Sequence, residues 1–331
     1  MIILFYADPH FRETSSYPPF NRIQNNGLTG ELNNILAGFD FLADQIEKCK
    51  PNLVINLGDS FQMDNYISIR TLHSASLGMS KVSSVCNYLN IEHLILMGNH
   101  DLYAALDNTK ITSICSLGAY GALITENTIY NDIFLMPFTD NLEEGYQGIV
   151  EGSQYNLIAA HIDFVGAVHD NNHPVEIGLD SHVNVPVICG HIHLKQQIGN
   201  IIYPGSLIQN RFTRDNLEDA GGVLIYDTDT RESENIQNNL SKHFVKVTDF
   251  SKLEYLDPER CILKVYSEYP EEETKHLLKD YQYMYVTTKD KEQSSKSPIR
   301  NELDRPEKML RDYIAEDKPE YIEIYDGVIK V

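Results

Sequence analysis

Positive charge is what this 331-residue chain has least of: 27 Lys and Arg stand against 48 Asp and Glu, a formal net charge of −21. Residues 1–250 hold 29 acidic and 13 basic residues, a balance of −16, and the remainder holds 19 against 14, a balance of −5. Binding to a phosphate backbone rests mainly on Lys and Arg displacing counterions, so the isolated chain is expected to bind nucleic acid poorly. Arg211 and Arg214 offer a small basic rim, and surface salt-bridging accounts for them equally well. Long apolar runs are also missing, which excludes a membrane-spanning helix, and the N-terminus has no basic stretch of the kind that opens a secretory signal. A cytoplasmic protein with no membrane partner is expected. Cysteine is sparse and scattered, at positions 49, 86, 115, 189 and 261. An odd number with no CxxC spacing argues against a zinc or disulfide framework and fits buried free thiols in a reducing compartment. There is no Gly-rich phosphate loop and no internal repeat, so any ATP dependence belongs to another chain.

What is present is a set of five short polar segments, each ending an apolar run: Asp8-Pro9-His10, Gly58-Asp59, Gly98-Asn99-His100-Asp101, His161 and Gly190-His191-Ile192-His193. The runs before them, 2–7, 53–57, 93–97, 155–160 and 185–189, are short and nearly continuously apolar, as in strands buried on both faces. The polar residues therefore sit where strands end and loops begin, the edge of an open α/β sheet where ligands usually bind. Two carboxylates, an amide oxygen and four imidazoles, with a further histidine beside the amide, are enough to hold two divalent cations a few Å apart. The pairs at i and i+2, Asp8 with His10 and His191 with His193, can point to one side of an extended backbone and so share a site. A lone Asp or His at a strand end is more often a cap or a solvated residue, but five in order are hard to produce by accident.

Leu32, Ile35, Leu36, Phe39, Leu42, Ala43 and Ile46 recur at helical spacing, predicting an amphipathic helix over 31–49, and a second helix is read over about 66–89. Strand–helix–strand–helix–strand is α/β architecture. After residue 120 the pattern is strand-rich, with strands expected at 128–136, 155–160, 185–189, 196–203, 221–227 and 243–248, so two sheet layers flanked by helices accommodate both halves. The domain reading is a main domain over 1–250 and a small β-α-β cap over 251–289, with strands near 261–266 and 283–288 and a helix over 271–280. A polar linker over 290–300 and a tail over 301–331 follow. In the tail, Asp304-Arg305-Pro306-Glu307 has capping-box spacing, with Met309, Leu310, Tyr313 and Ile314 forming an apolar stripe behind it. Asp326-Gly327 between two strand-like runs signals a hairpin. Helix and hairpin either dock on their own domain or belong to a partner.

The five segments match the pattern D-x-H, G-D, G-N-H-[DE], H and G-H-x-H, and with it the chain resembles the calcineurin-like metallophosphoesterase superfamily. The resemblance implies a four-layer α-β-β-α sandwich. It also implies two divalent metal ions, Mn²⁺ foremost or ions of the Fe/Zn type, which suit an imidazole-rich site better than Mg²⁺ does. On that resemblance Asp8, His10 and His193 hold one ion, Asn99, His161 and His191 the other, and Asp59 bridges them. His100 protonates or stabilises the leaving oxygen, with Gln62 and Asp101 beside it. Within the superfamily the chain is most similar to the SbcD-type nuclease subunits of double-strand-break repair. Phe61 follows the bridging aspartate as an aromatic usually does there, Tyr203-Pro204-Gly205-Ser206 matches the turn after the last motif, and the cap and linked tail occupy the family's positions. That likeness implies a Mn²⁺-dependent DNA exonuclease and endonuclease of DNA repair and recombination. It implies Ser206, Arg211 and Arg214 as DNA contacts and Met309, Leu310, Tyr313 and Ile314 as the docking stripe for an SbcC-type coiled-coil ATPase. A homodimer through a four-helix contact is typical of such subunits, and the short chain points to a phage-encoded member in a host cytoplasm. Two features depart from the pattern: Phe11 and Arg12 follow His10 where a glycine is usual two residues on, and Gln62 stands where some of these nucleases have histidine. The rival readings are a small-molecule phosphodiesterase or phosphatase with the same metals, and a catalytically weak scaffold subunit.

Overall fold

A computed structural model describes residues 1–62, 67–102, 113–169, 173–212 and 221–287. The linker, the tail with Met309, Leu310, Tyr313 and Ile314, and Arg214 lie outside the described residues. The described residues divide into two compact units, one of residues 1–265 with 277–284, the other of residues 266–276 with 285–287.

The first unit is built on two six-stranded sheets. In the first, β1 (Ile2–Tyr6), β2 (Leu53–Asn56), β3 (Glu92–Leu96) and β4 (Ala122–Ile124) run parallel. β11 (Gly222–Asp227) and β12 (Ser233–Gln237) add antiparallel strands on the β1 side, giving the order β12-β11-β1-β2-β3-β4. The second sheet has the order β5-β6-β7-β8-β10-β9, from Thr128–Tyr130, Ile133–Met136, Leu157–His161, Val187–Gly190, Ile201–Tyr203 and Gln196–Ile198 respectively. Its middle strands β6, β7, β8 and β10 are parallel.

Alternation along each strand explains the layering. Ile3, Phe5, Leu53, Ile55, Leu94 and Leu96 face one way and pack on Ile133, Leu135, Leu157, Ala159 and Ile188 of the other sheet. Leu4, Tyr6, Val54 and Ile95 face the opposite way, onto Leu32, Ile35, Phe39, Leu42, Met79 and Val82 of two helices. Those helices are α1 (Gly30–Cys49) and α2 (Ile69–Leu89), capped by Thr29 and Ser68 side chains and ended by left-handed Lys50 and Asn90. Beyond the second sheet, Phe134, Met136, Ile158, Ala160, Val187 and Cys189 pack on Ile162, Phe164, Val175 and Leu179, with Ile149 of α3 (Leu142–Gly152) against them. The four-layer α-β-β-α sandwich is therefore the fold.

Differences from the sequence reading have local causes. The run 128–136 is a hairpin rather than one strand, because Asn131 and Asp132 both take positive φ (45° and 67°) and turn the chain between β5 and β6. Gly199 (φ 56°) does the same between β9 and β10. Helix α3 leaves its apolar residues Leu142, Tyr146 and Val150 exposed. Its inner face is Gly145, Gly148 and Gly152, where added Cβ atoms would meet Ile162 Cδ1 at 3.2 Å, Met136 Sδ at 2.6 Å and Ile158 Cδ1 at 2.8 Å, so backbone packs directly on side chains. Near the end of the described chain, β13 (His243–Val247) pairs in parallel with β14 (Cys261–Ser267), and β15 (Gln282–Thr287) completes a three-stranded sheet. The helix read over 271–280 is a single turn, α4 (Glu271–Thr274). In the second unit, the Thr274 hydroxyl donates to Tyr285 Oη at 2.8 Å, and Tyr285 donates to Tyr269 O at 3.0 Å. Among the described residues no disulfide forms, and Cys86, Cys189 and Cys261 are buried. Among the described residues, no helix is long and apolar enough to cross a membrane.

Candidate metal centre

The five polar segments converge at the strand ends where the two sheets meet. Asp8 and His10 follow β1, Asp59 follows β2, Asn99, His100 and Asp101 form a short 3₁₀ turn after β3, His161 ends β7, and His191 and His193 follow β8. Two sets of ligand atoms lie together, each within 4.8 Å: Asp8 with His10 and His193, and Asp59 with His161 and His191. Asn99 joins the second set, its Oδ1 at 2.8 Å from His191 Nδ1 and 3.1 Å from His161 Nε2. In the first set His10 Nε2 and His193 Nε2 are 2.9 Å apart.

Asp59 stands between the sets. Its Oδ2 is 3.7 Å from His10 Nε2 and its Oδ1 is 3.4 Å from His161 Nε2, so one oxygen faces each set. That is what a carboxylate bridging two cations requires, since its charge also reduces their mutual repulsion. The donor set, imidazole-rich with carboxylates and one amide oxygen, fits two divalent cations of the transition series better than Mg²⁺. Asp8, His10, Asp59 and His161 are all at most 1% exposed, and such buried polar groups are costly unless they have partners.

The backbone is what aims these side chains. Asp8, His10, Asp59 and His191 have φ of 52°, 46°, 53° and 86°, left-handed conformations costing on the order of 1–3 kcal/mol each. The extended geometry expected for Asp8 and His10 is thus replaced by a kinked loop. The kink is held by the neighbouring loop: Asp8 N–H donates to Gly58 O at 3.1 Å, His10 N–H to Asp59 O at 3.1 Å and Phe11 N–H to Ser60 O at 2.9 Å. Two motif glycines are required by proximity. A Cβ on Gly98 would lie 2.2 Å from Asp59 Oδ1, and one on Gly58, itself at φ 109°, would lie 2.5 Å from His161 Nδ1.

Asp101, expected beside His100, is fully buried and accepts from three backbone N–H groups, of Ser60 (3.2 Å), Phe61 (3.0 Å) and Gly98 (3.0 Å). It ties the loop after β2 to the loop after β3. Burial, with the charge of Asp59 adding to it, pushes its carboxyl up to about 7. The His100 N–H donates to Asp59 Oδ1 at 2.8 Å, and Gln62 Nε2 is 3.3 Å from His100 Nδ1. An amide NH₂ only donates, so His100 Nδ1 accepts and the proton resides on Nε2. Burial lowers the His100 imidazole, against the raising influence of Asp59.

His161 Nδ1 lies 2.7 Å from Leu57 O, a group that can only accept, so Nδ1 carries a proton and Nε2 is the nitrogen turned to the site. Burial works against charge on Asp59, yet the imidazoles of His161 and His10 hold its carboxyl well below the usual range. Burial likewise opposes a charged His161, but Asp59 and Asp8 raise it to about 9. Burial drives the Asp8 carboxyl up, with His161 and His193 opposing, and drives the His10 imidazole well down.

The remaining expected residues are placed differently. Ser206, read as a candidate DNA contact, is 2% exposed; its hydroxyl donates to Ile208 O and its N–H donates to His193 O, closing the turn behind the last motif. Arg211 is exposed at the surface. Asp163, not singled out from the sequence, sits with Oδ2 3.1 Å from His191 Nε2. The signal was present, since His161-Ile162-Asp163 repeats the i, i+2 spacing of Asp8-Pro9-His10. Phe138 was also missed. It stacks on the His191 ring at 6.1 Å between centroids and lies edge-on to His161 at 6.2 Å. Arg12, where a glycine was expected nearby, donates from Nη2 to the buried Glu31 Oε1 at 2.7 Å and to Asn210 O at 3.0 Å, bracing the first ligand loop.

Residues 1–195, more than half of the chain, match the family model described as calcineurin-like phosphoesterase. The chain belongs to this family. No curated protein matches it in sequence. Similar solved structures include an archaeal phosphodiesterase (12% identity, TM-score 0.35, covering 71% of this chain and 99% of the other) and a Pseudomonas putida nuclease MPE (14%, 0.32, 71% and 87%). The phosphoesterase Yfce from E. coli is another (13%, 0.33, 72% and 100%). As a calcineurin-like phosphoesterase the chain is a metal-binding hydrolase in type, with two candidate cation sites among the described residues.

Proposed function

We propose that this chain is a Mn²⁺-dependent DNA nuclease, cutting phosphodiesters at duplex ends and in single strands as the nuclease subunit of an SbcCD-type repair complex. The observation that carries the phosphodiester reading is Asp59, with one oxygen facing each of two ligand sets. When bound, the two cations supply Lewis-acid polarisation of the phosphoryl oxygens and lower the pKa of water. The chain's own part is to hold and time protons. His100, with its proton at Nε2 and its backbone tied to Asp59, delivers that proton to the leaving oxygen. Gln62 keeps the ring oriented without adding charge. The acidic chain supports a partner that supplies much of the DNA grip, an SbcC-type coiled-coil ATPase docked on Met309, Leu310, Tyr313 and Ile314, with a homodimer as the expected assembly.

The family supports a small-molecule phosphodiesterase equally well. The test is Mn²⁺-dependent degradation of linear duplex and circular single-stranded DNA by wild type and His100→Ala. Degradation by the wild type that falls about 10²- to 10⁴-fold in the variant supports both the nuclease and the acid role. A wild type inert on DNA, alone and with the ATPase, but active on nucleotides or cyclic nucleotides supports the small-molecule reading. Metal content near zero after purification in Mn²⁺ supports a scaffold subunit.

A further inference from the structure

Asp163 belongs to neither ligand set, yet it lies two residues beyond His161 and touches the other histidine of the same set. We propose that Asp163 is the positioning residue for His191, holding its ring so that Nδ1 faces the cation shared with Asp59, Asn99 and His161. The inference rests on the two-cation reading and adds to it the residue that decides which nitrogen of His191 is the ligand.

Asp163 Oδ2, 3.1 Å from His191 Nε2, is placed to accept the Nε2–H. Asn99 Oδ1, 2.8 Å from Nδ1, is an acceptor as well, so a cation held between Nδ1 and that oxygen would take the Nδ1 lone pair while Asp163 keeps the proton on Nε2. Asp163 Oδ1 is buried and has no hydrogen-bond partner among the described residues; His169 Nε2 stands 3.8 Å away, beyond hydrogen-bond length. The hydrogen bond this carboxylate does make is to a metal-ligand ring.

The backbone around Asp163 is fixed well enough for the task. Its carbonyl accepts from Leu179 N–H at 2.9 Å, and the next N–H, of Phe164, donates to the buried Tyr203 hydroxyl at 3.0 Å. That hydroxyl in turn donates to Ile162 O at 3.1 Å, so Tyr203 clamps both sides of Asp163. The end of β7 thus provides one ligand, His161, and the carboxylate that orients a second. Carboxylate–histidine–metal arrangements set ring orientation and raise ligand basicity, and losing the carboxylate costs about 10- to 100-fold in metal affinity.

The experiment is a Mn²⁺ titration of the full chain, read by the electron paramagnetic resonance of free and bound Mn²⁺, for wild type, Asp163→Ala and Asp163→Asn. In Asp163→Ala one of the two binding constants is expected to weaken about 10- to 100-fold. The other, belonging to Asp8, His10 and His193, keeps its value, and the spin-coupled pair signal gives way to that of an isolated ion. Asp163→Asn keeps an acceptor oxygen without the charge, and its weakened constant falls between the other two. Both constants unchanged in Asp163→Ala overturns the proposal, and so does an equal weakening of both. If Asp163→Ala does not fold, Asp163→Asn decides alone: a weakened second constant supports the role and an unchanged one overturns it. A wild type that binds fewer than two Mn²⁺ overturns the two-cation reading itself, a result separate from a wild type that binds two and is indifferent to Asp163.

Discussion

Replacing His93 by glutamine tests whether the sheet beneath the metal loops is held by a neutral buried imidazole. His93 on β3 is 5% exposed; its Nδ1 donates to Tyr120 O at 3.1 Å, so its Nε2 accepts from the Tyr6 hydroxyl at 2.9 Å. Tyr6 ends the strand that leads to Asp8, and the bond crosses over β2 to reach the strand that leads to Asn99. Burial, against a smaller raising effect from Tyr120 O, lowers the imidazole from 6.5 to about 4. Between those values the unfolded chain binds a proton that the folded chain does not, so stability rises with pH across the window. The contribution is present above pH 6.5 and is lost as pH falls toward 4. At about 1.4 kcal/mol per pH unit the gap is worth about 3 kcal/mol, most of it gone by about pH 4.5. The assay is urea unfolding with chelator present, for wild type and His93→Gln, from pH 7 downward. The wild type should lose about 2–3 kcal/mol more than the variant over that range. Parallel stability curves for the two proteins would refute a neutral, burial-depressed His93.

Two further expectations follow from particular contacts and a third from the sequence of the tail. Gly98→Ala places a Cβ 2.2 Å from Asp59 Oδ1, so the bridging carboxylate must move and Mn²⁺ bound per chain should fall below two by elemental analysis; full occupancy would show that the loop yields. Arg12→Leu leaves the fully buried Glu31 without its cation and should cost about 3 kcal/mol in chemical denaturation, with the Arg12→Leu, Glu31→Leu pair costing less; a single-variant loss under about 1 kcal/mol would mean the pair is dispensable. Met309→Asp with Tyr313→Asp should abolish co-purification with a coiled-coil ATPase, and unchanged association would remove the tail from that role.

The residues of the site were legible because their signals are local. Asp8, Asp59, Asn99, His161 and His191 each follow a short apolar run, and the helical stripe from Leu32 to Ile46 read correctly because period and burial coincide. Helix α3 was not read from the sequence, and its inner face of Gly145, Gly148 and Gly152 makes sense only against Ile162, Met136 and Ile158. Nothing in Pro204-Gly205-Ser206 by itself reveals that the turn folds back onto His193.

What the sequence determined by itself was the chemistry available: which carboxylates, imidazoles and amide stand at strand ends, and so which metals and reactions they suit. What only the tertiary structure decided was their juxtaposition. His10 and His193, 183 residues apart, meet at 2.9 Å because two separate sheets pack face to face and present their strand ends at one edge. The aim of each ligand likewise came from left-handed backbone at Asp8, His10, Asp59 and His191, held there by hydrogen bonds between loops that no short stretch of sequence contains.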